Sequence, residues 1–156
     1  MIFINDRKKE VIHVLKGISP LLSPDLLKVI AEMGHGDDLV IGDGNFPAAG
    51  TNPRSIRCDG HRVPELLDAV LQLFPLDSFV DAPVTLMQVV PGTFQGDPPI
   101  WEELRRIVQK HEPGTRLQFI ERFAFYDLSR KAYATVQTGE TALYACVILK
   151  KGVIGG

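Results

Sequence analysis

His35 and Asp43 stand eight residues apart in Met33-Gly34-His35-Gly36-Asp37-Asp38-Leu39-Val40-Ile41-Gly42-Asp43. An imidazole titrates near neutral pH and can give or take a proton there. A carboxylate accepts hydrogen bonds and can hold a hydroxyl-rich ligand. The residues between them read as a helix end, a tight turn and a short buried strand. Asp43 therefore falls where the strand gives out, and ligands of α/β proteins sit at the carboxyl ends of strands. The spacing predicts that His35 and Asp43 flank one turn and reach one cleft. A plainer reading stands beside this one. A lone histidine after a helix more often caps it or lies on the surface, and Asp before Gly is a common turn pair.

Other chemistries have no local signature. His13, His35, His61 and His111 show no zinc-type spacing among themselves or with the cysteines, so no metal site is expected. Gly42-Asp43-Gly44 lacks the third glycine and the following helix of a dinucleotide fingerprint. There is no Walker lysine and no Gly-x-Ser-x-Gly elbow. What remains is a set of protic groups suited to proton transfer without a cofactor.

The elements that must position these groups alternate between helix and strand. Ser23 with Pro24 fits an N-cap followed by N1. Leu26, Leu27, Ile30 and Met33 mark a helical apolar face that stops at Gly34. Leu39 to Ile41 suits a strand buried on both faces, and a loop rich in Gly, Pro and Ala runs from Gly42 to Asn52. Pro64 opens a second helix that Pro75 closes. Strands are predicted over Val84–Val90, Leu117–Ile120, Tyr133–Thr138 and Ala142–Lys150. Helices are predicted from Pro98-Pro99 through Val108, with Glu102 and Arg106 spaced as an i,i+4 ion pair, and over Phe123–Lys131. The fold class is α/β: a single-domain α/β sandwich with a partly parallel central sheet.

With 156 residues, one domain with a sizeable core is expected. Hydrophobic residues at 45% and charged residues at 23% are ordinary for a globular protein. A net charge of −2 and a pI near 6.1 provide no electrostatic case for nucleic acid or an anionic membrane. No apolar run reaches transmembrane length, and the start turns charged too soon for a signal peptide. Cys58 and Cys146, without Cys-x-x-Cys spacing, suit reduced thiols and a cytoplasmic location.

A wider set of motifs comes in order along the chain. These are Ser23-Pro24-Asp25-Leu26-Leu27, Met33-Gly34-His35-Gly36-Asp37, Asn45-Phe46-Pro47, Ile56-Arg57-Cys58-Asp59-Gly60 and Pro75-Leu76-Asp77. Glu121-Arg122-Phe123-x-Phe125-Tyr126, Thr138-Gly139-Glu140, Tyr144 and Leu149-Lys150-Lys151-Gly152 follow. Together they resemble the L-fucose mutarotase branch of the ribose pyranase/fucose mutarotase family. The likeness runs from about Lys16 to Val153, so residues 1–15 read as an N-terminal extension and 16–156 as the sugar mutarotase domain. The ribose branch is similar at the Gly-His and at the Asp after the strand, but it lacks the Arg-Phe-x-Phe-Tyr segment.

The resemblance implies a ribose pyranase-like fold and an isomerase that interconverts the α and β anomers of a free sugar, L-fucose, without metal or other cofactor. One group takes the proton of the anomeric hydroxyl, another protonates the ring oxygen, and the roles exchange on closure. By resemblance, His35 is the principal proton donor and acceptor. Asp77 is a carboxylate at the sugar, and Tyr126 is a second proton relay. Asp43, Arg122, Tyr144 and Cys146 would bind the sugar, and Met87 would wall its methyl group. Family members commonly carry Tyr-Gly-Asn where this chain has Tyr144-Ala145-Cys146. A homo-oligomer with the pocket near a subunit boundary is also implied. Bland alternatives stay open: Asp77 as a turn cap, Arg122 as a surface ion-pair partner, and Tyr126 and Met87 as core. So do a binding module without turnover and a mutarotase or pyranase for D-ribose.

Overall fold

Residues 13–155 are described by the computed structural model. The extension expected at 1–15 therefore lies, for residues 1–12, outside the described residues. Ser23 accepts a hydrogen bond from Leu26 N–H at 3.2 Å and caps α1 (Pro24–Glu32), with Pro24 in the first turn as expected. β1 (Asp38–Gly42) follows the Gly34–Asp37 turn, and α2 (Ala48–Thr51) is a single turn inside the segment expected to be loop. β2 (Ser55–Cys58) was not foreseen: its Ser-Ile-Arg-Cys run alternates polar and apolar residues, but over only four positions and with a single buried side chain. α3 (Val63–Leu71), β3 (Val84–Met87) and α4 (Pro99–His111) come next. β4 (Leu117–Ile120), α5 (Arg122–Lys131), β5 (Ala134–Thr138) and β6 (Val147–Lys150) complete the chain.

The six strands form one mixed sheet in the order β2-β5-β1-β6-β3-β4. β1 pairs parallel with β5, β5 with β2, and β3 with β4. β6 lies between β1 and β3 and runs antiparallel to both. The sheet is thus partly parallel, as expected, with all its other strands pointing one way.

Period-two alternation sorts the strand side chains into two cores. Leu39 and Ile41 of β1, Leu86 of β3 and Val147 and Leu149 of β6 pack with α1, α3 and α4. Val40, Met87, Cys146 and Ile148 face the other way, against Phe46, Ala48 and Phe125 of the α2–α5 layer. Gly42, the last residue of β1, leaves room for the Phe46 side chain, which would lie 2.6 Å from a Cβ there. Phe125 is fully buried beneath α5, and truncating such a ring to alanine costs about 3–5 kcal/mol.

Two strands are shorter than their apolar runs suggested. The run to Val90 leaves the sheet after Met87, and the run from Ala142 joins it only at Val147. Both departures occur at the same end of the sheet, where side chains line a pocket rather than extend a ladder. Glu102 pairs with Arg105 at 3.0 Å, one residue short of the expected Arg106. Among the described residues no helix is long and apolar enough to cross a membrane. Cys58 and Cys146 are buried free thiols.

Candidate functional site

The carboxyl ends of β1, β3 and β4 and the approach to β6 surround a cavity of about 240 Å³. Ligand sites usually start near 300 Å³, so only a small molecule fits. Asp43 enters from the end of β1, Met87 from the end of β3, and Arg122 from the turn after β4. Tyr126 lies one helical turn beyond Arg122 on α5, where residues four apart share a face. Tyr144 and Cys146 come from the segment before β6. Glu121 starts α5 by accepting from Phe123 and Ala124 N–H at 2.8 and 3.2 Å, which aims Arg122 and Tyr126 inward. The cavity therefore gathers Asp43, Met87, Arg122, Tyr126, Tyr144 and Cys146.

The electrostatics suit a polar ligand with an apolar side. Burial pushes the Asp43 carboxyl above the usual carboxylate range, while the Asn45 N–H, the Cys146 thiol and the Phe46 N–H draw it back. The Asn45 bond, at 3.0 Å, is the turn bond of the plain reading, so Asp43 serves both the turn and the cavity. Burial also raises the Tyr126 phenol, which stays protonated at neutral pH and presents an O–H donor. The Cys146 thiol is raised by burial as well, and the Asp43 N–H points to its Sγ at 3.5 Å. Among the described residues the buried Arg122 Nε has no hydrogen-bond partner, and the guanidinium sits 4.6 Å from the Phe123 ring centroid. A buried unpaired N–H costs about 1–3 kcal/mol, so this donor awaits an acceptor. Met87, Phe46 and Val90 supply the apolar side.

His35 and Asp77 are elsewhere. The turn that carries His35 precedes β1, whereas Asp43 follows it, and β1's five residues span roughly 16 Å at about 3.3 Å each. Within one chain the two therefore do not reach a common cleft, contrary to the expectation from their spacing. A turn was inferred between them, but a full strand separates them. At that far end His35 Nε2 lies 3.0 Å from Asp77 Oδ1, and the imidazole is 44% exposed. An ionised Asp77 can only accept, so Nε2 carries the hydrogen, and Nδ1 has no partner among the described residues. The Phe79 N–H, at 3.0 Å, and His35 hold the Asp77 carboxyl below the usual carboxylate range. Asp77 thus caps its turn and orients the histidine together.

The chain's last strand builds this end. Gly36 N–H donates to Lys151 O at 2.8 Å, Lys151 N–H to Asp37 O at 2.8 Å, and Asp77 N–H to Lys150 O at 3.0 Å. Gly152 lets the Leu76 carbonyl approach to 2.4 Å of where a Cβ would stand. Phe79 is 76% exposed, and its ring centroid is 5.3 Å from that of His35.

Sequence reasoning passed over Asn45, Phe46, Val90, Thr93 and Leu143 as lining residues. Asn45-Phe46 carried a signal in its motif, and the Phe46 ring indeed lies 6.0 Å from that of Tyr126. Thr93, on an irregular loop, carried none.

Comparison with known proteins places these motifs in a family. Residues 16–154 match the RbsD / FucU transport protein family. The chain belongs to the RbsD / FucU family. The human protein named fucose mutarotase is 47% identical over 145 residues, covering 90% of this chain and 94% of that one. An L-fucose mutarotase of Actinobacillus pleuropneumoniae serotype 5b (strain L20) is 48% identical over 141 residues, covering 90% and 97%. The crystal structure of a fucose mutarotase in complex with L-fucose from Streptococcus pneumoniae has the same fold. Its TM-score is 0.85 at 49% identity, with 90% of this chain and all of that one covered. This RbsD / FucU chain shares nine tenths of its length with each of these relatives.

Proposed function

We propose that this chain is a mutarotase interconverting the α and β anomers of L-fucose. The observation that carries the reading is near-half identity to fucose mutarotases over nine tenths of the chain, with a small cavity suited to one deoxysugar. Asp43 would accept from sugar hydroxyls, the unpaired Arg122 Nε would donate to one, and Met87, Phe46 and Val90 would face the methyl group. Tyr126 holds a proton at neutral pH and can lend it to the ring oxygen as the ring C–O bond breaks. His35, with Nε2–H turned to Asp77, has Nδ1 free to take the proton of the anomeric hydroxyl. Once the aldehyde has rotated, the same protons return and the ring closes on its other face. Atoms balance with no redox partner.

His35 and the cavity belong to opposite ends of β1, so the reading needs a second copy. We infer that the His35–Asp77 end of one chain closes the cavity of a neighbour in a head-to-tail homo-oligomer. Exposed apolar side chains support such a contact at both ends: Phe79 and the adjoining Val80 beside His35, and Leu143 lining the cavity with Phe123 against Arg122.

Saturation transfer between the α and β anomeric protons of L-fucose, repeated with D-ribose, tests the reading. Exchange should be enhanced for fucose and fall by about 10²–10⁴ in His35→Ala, the usual share of a general acid–base. Folded protein that accelerates neither sugar would remove the proposal. Faster exchange of ribose than of fucose would change the substrate.

A further inference from the structure

The segment from Val90 to Asp97 crosses one side of the cavity between β3 and α4, and Val90 and Thr93 line it. Most of this segment is exposed, and Gly92 and Gly96 bracket Thr93–Gln95 with φ of +82° and +70°. Among the described residues, the hydrogen bonds from this segment to the rest of the chain all end on one atom, the Tyr144 hydroxyl. Val90 N–H donates to it at 3.2 Å, and Thr93 Oγ1 lies 2.5 Å from it. Thr93 Oγ1–H donates to Val90 O at 2.6 Å, so its one hydrogen is spent. The Tyr144 O–H must then donate to Thr93. The three bonds close a ring, from Val90 N–H to Tyr144, from Tyr144 to Thr93, and from Thr93 back to Val90 O. Each donor feeds the next, the arrangement in which hydrogen bonds polarise one another.

Tyr144 holds this place at a cost. Its φ of +60° is the one positive value at a non-glycine among the described residues, a conformation that L side chains rarely adopt. Trp101 Nε1–H fixes its carbonyl at 2.9 Å, and the Phe94 ring meets its ring edge-on at 6.3 Å. Strain of this kind persists where the surroundings over-determine it, and it concentrates at functional sites.

We propose that Tyr144, with Thr93, is a positioning pair that latches the Val90–Asp97 segment as the cavity's movable wall. The inference rests on the mutarotase reading for its kinetic arm only. With its proton committed to Thr93, the Tyr144 hydroxyl is not a proton shuttle. It sets the capture of sugar by holding Val90 against the cavity.

Tyr144→Phe keeps the ring and the backbone and removes the latch. Hydrogen exchange should show the Val90 amide losing at least about tenfold in protection while β1 and β6 amides hold. Anomer exchange should show KM raised about tenfold with kcat within about twofold, the pattern of lost ground-state binding. Thr93→Val should reproduce both effects, Thr93→Ser should restore them, and the double variant Tyr144→Phe with Thr93→Val should be no worse than either alone. Unchanged Val90 protection in Tyr144→Phe would overturn the latch. So would a fall in kcat at constant KM, because the hydroxyl would then act in the reaction. Wild-type protein without anomer exchange would strike the mutarotase reading instead, while the amide arm would still decide the latch.

Discussion

The two ends of β1 divide the labour of this molecule. At the carboxyl end a buried carboxylate, an unpaired guanidinium, a protonated phenol and an apolar wall enclose a small cavity, and no histidine lines it. At the amino end a half-exposed imidazole is oriented by an ionised carboxylate and bordered by an open groove among Ile30, Leu73, Pro75 and Ile154. The first end has the room and the polar groups for a small ligand but no histidine. The second has the histidine, set on an open groove. The difference explains why the polar groups are built so differently. Burial at the cavity raises the Asp43 carboxyl, whereas the Phe79 N–H and then His35 hold Asp77 in its charged form.

The largest expected effect breaks the comparison by mixing its halves. His35→Ala and Tyr126→Phe chains, each deficient alone, should regain activity when dissociated and reassembled together. Sites that combine His35 of one chain with the cavity of another would reach about a quarter of the wild-type number under random assortment in a closed ring. Anomer exchange in the mixture measures this, and a mixture no better than the average of its parents would return both groups to one chain. Next comes Arg122→Ala, which removes a buried donor at the cavity that has no partner among the described residues. Its KM should rise about 10- to 100-fold, from the roughly 1.5–3 kcal/mol of a hydrogen bond to a charged group. Its melting temperature should hold, since Nε has no hydrogen-bond partner to lose among the described residues. A large drop in melting temperature would make the arginine structural.

The smallest effect concerns Asp43 and has the opposite sign for stability. Its folded-state pKa lies above the ordinary value, so the native state binds the proton more tightly than the unfolded chain does. Stability from this group is therefore fullest below the ordinary carboxylate value and declines as pH rises through the raised one. Asp43→Asn keeps an oxygen for the Asn45 N–H and deletes that decline. Thermal melts from about pH 3 to about pH 7 should show the variant gaining on the wild type as pH rises. The gain is a few degrees, about 2–4 °C for each kcal/mol relieved. Weaker sugar binding should accompany it. A variant less stable at every pH would show that the turn, rather than the cavity, needs the charge.

Much of this organisation was legible residue by residue. Ser23-Pro24 announced α1, the Leu39–Ile41 run announced a strand buried on both faces, and the motif around Arg122 and Tyr126 marked the start of α5. The illegible parts share a cause. β2 alternates over only four residues, too short a run to stand out, and the Val84–Val90 and Ala142–Lys150 runs looked like long strands because cavity walls and ladders use the same apolar residues. Thr93 and Tyr144 are 51 residues apart, and no local pattern couples a loop threonine to a strained tyrosine.

The amino-acid sequence by itself determined the alternation of helices and strands, their caps, and which residue types were available for proton transfer. These follow from spacing within a few residues, where propensity and periodicity act. Only the tertiary structure decided which of those residues meet. Side-chain neighbours in a sheet are set by pairing between distant strands, and inserting β6 antiparallel between β1 and β3 brings Cys146 to the cavity end and Lys150 to the histidine end. A histidine and an aspartate eight residues apart are neighbours across a turn but strangers across a strand, and β1 is a strand.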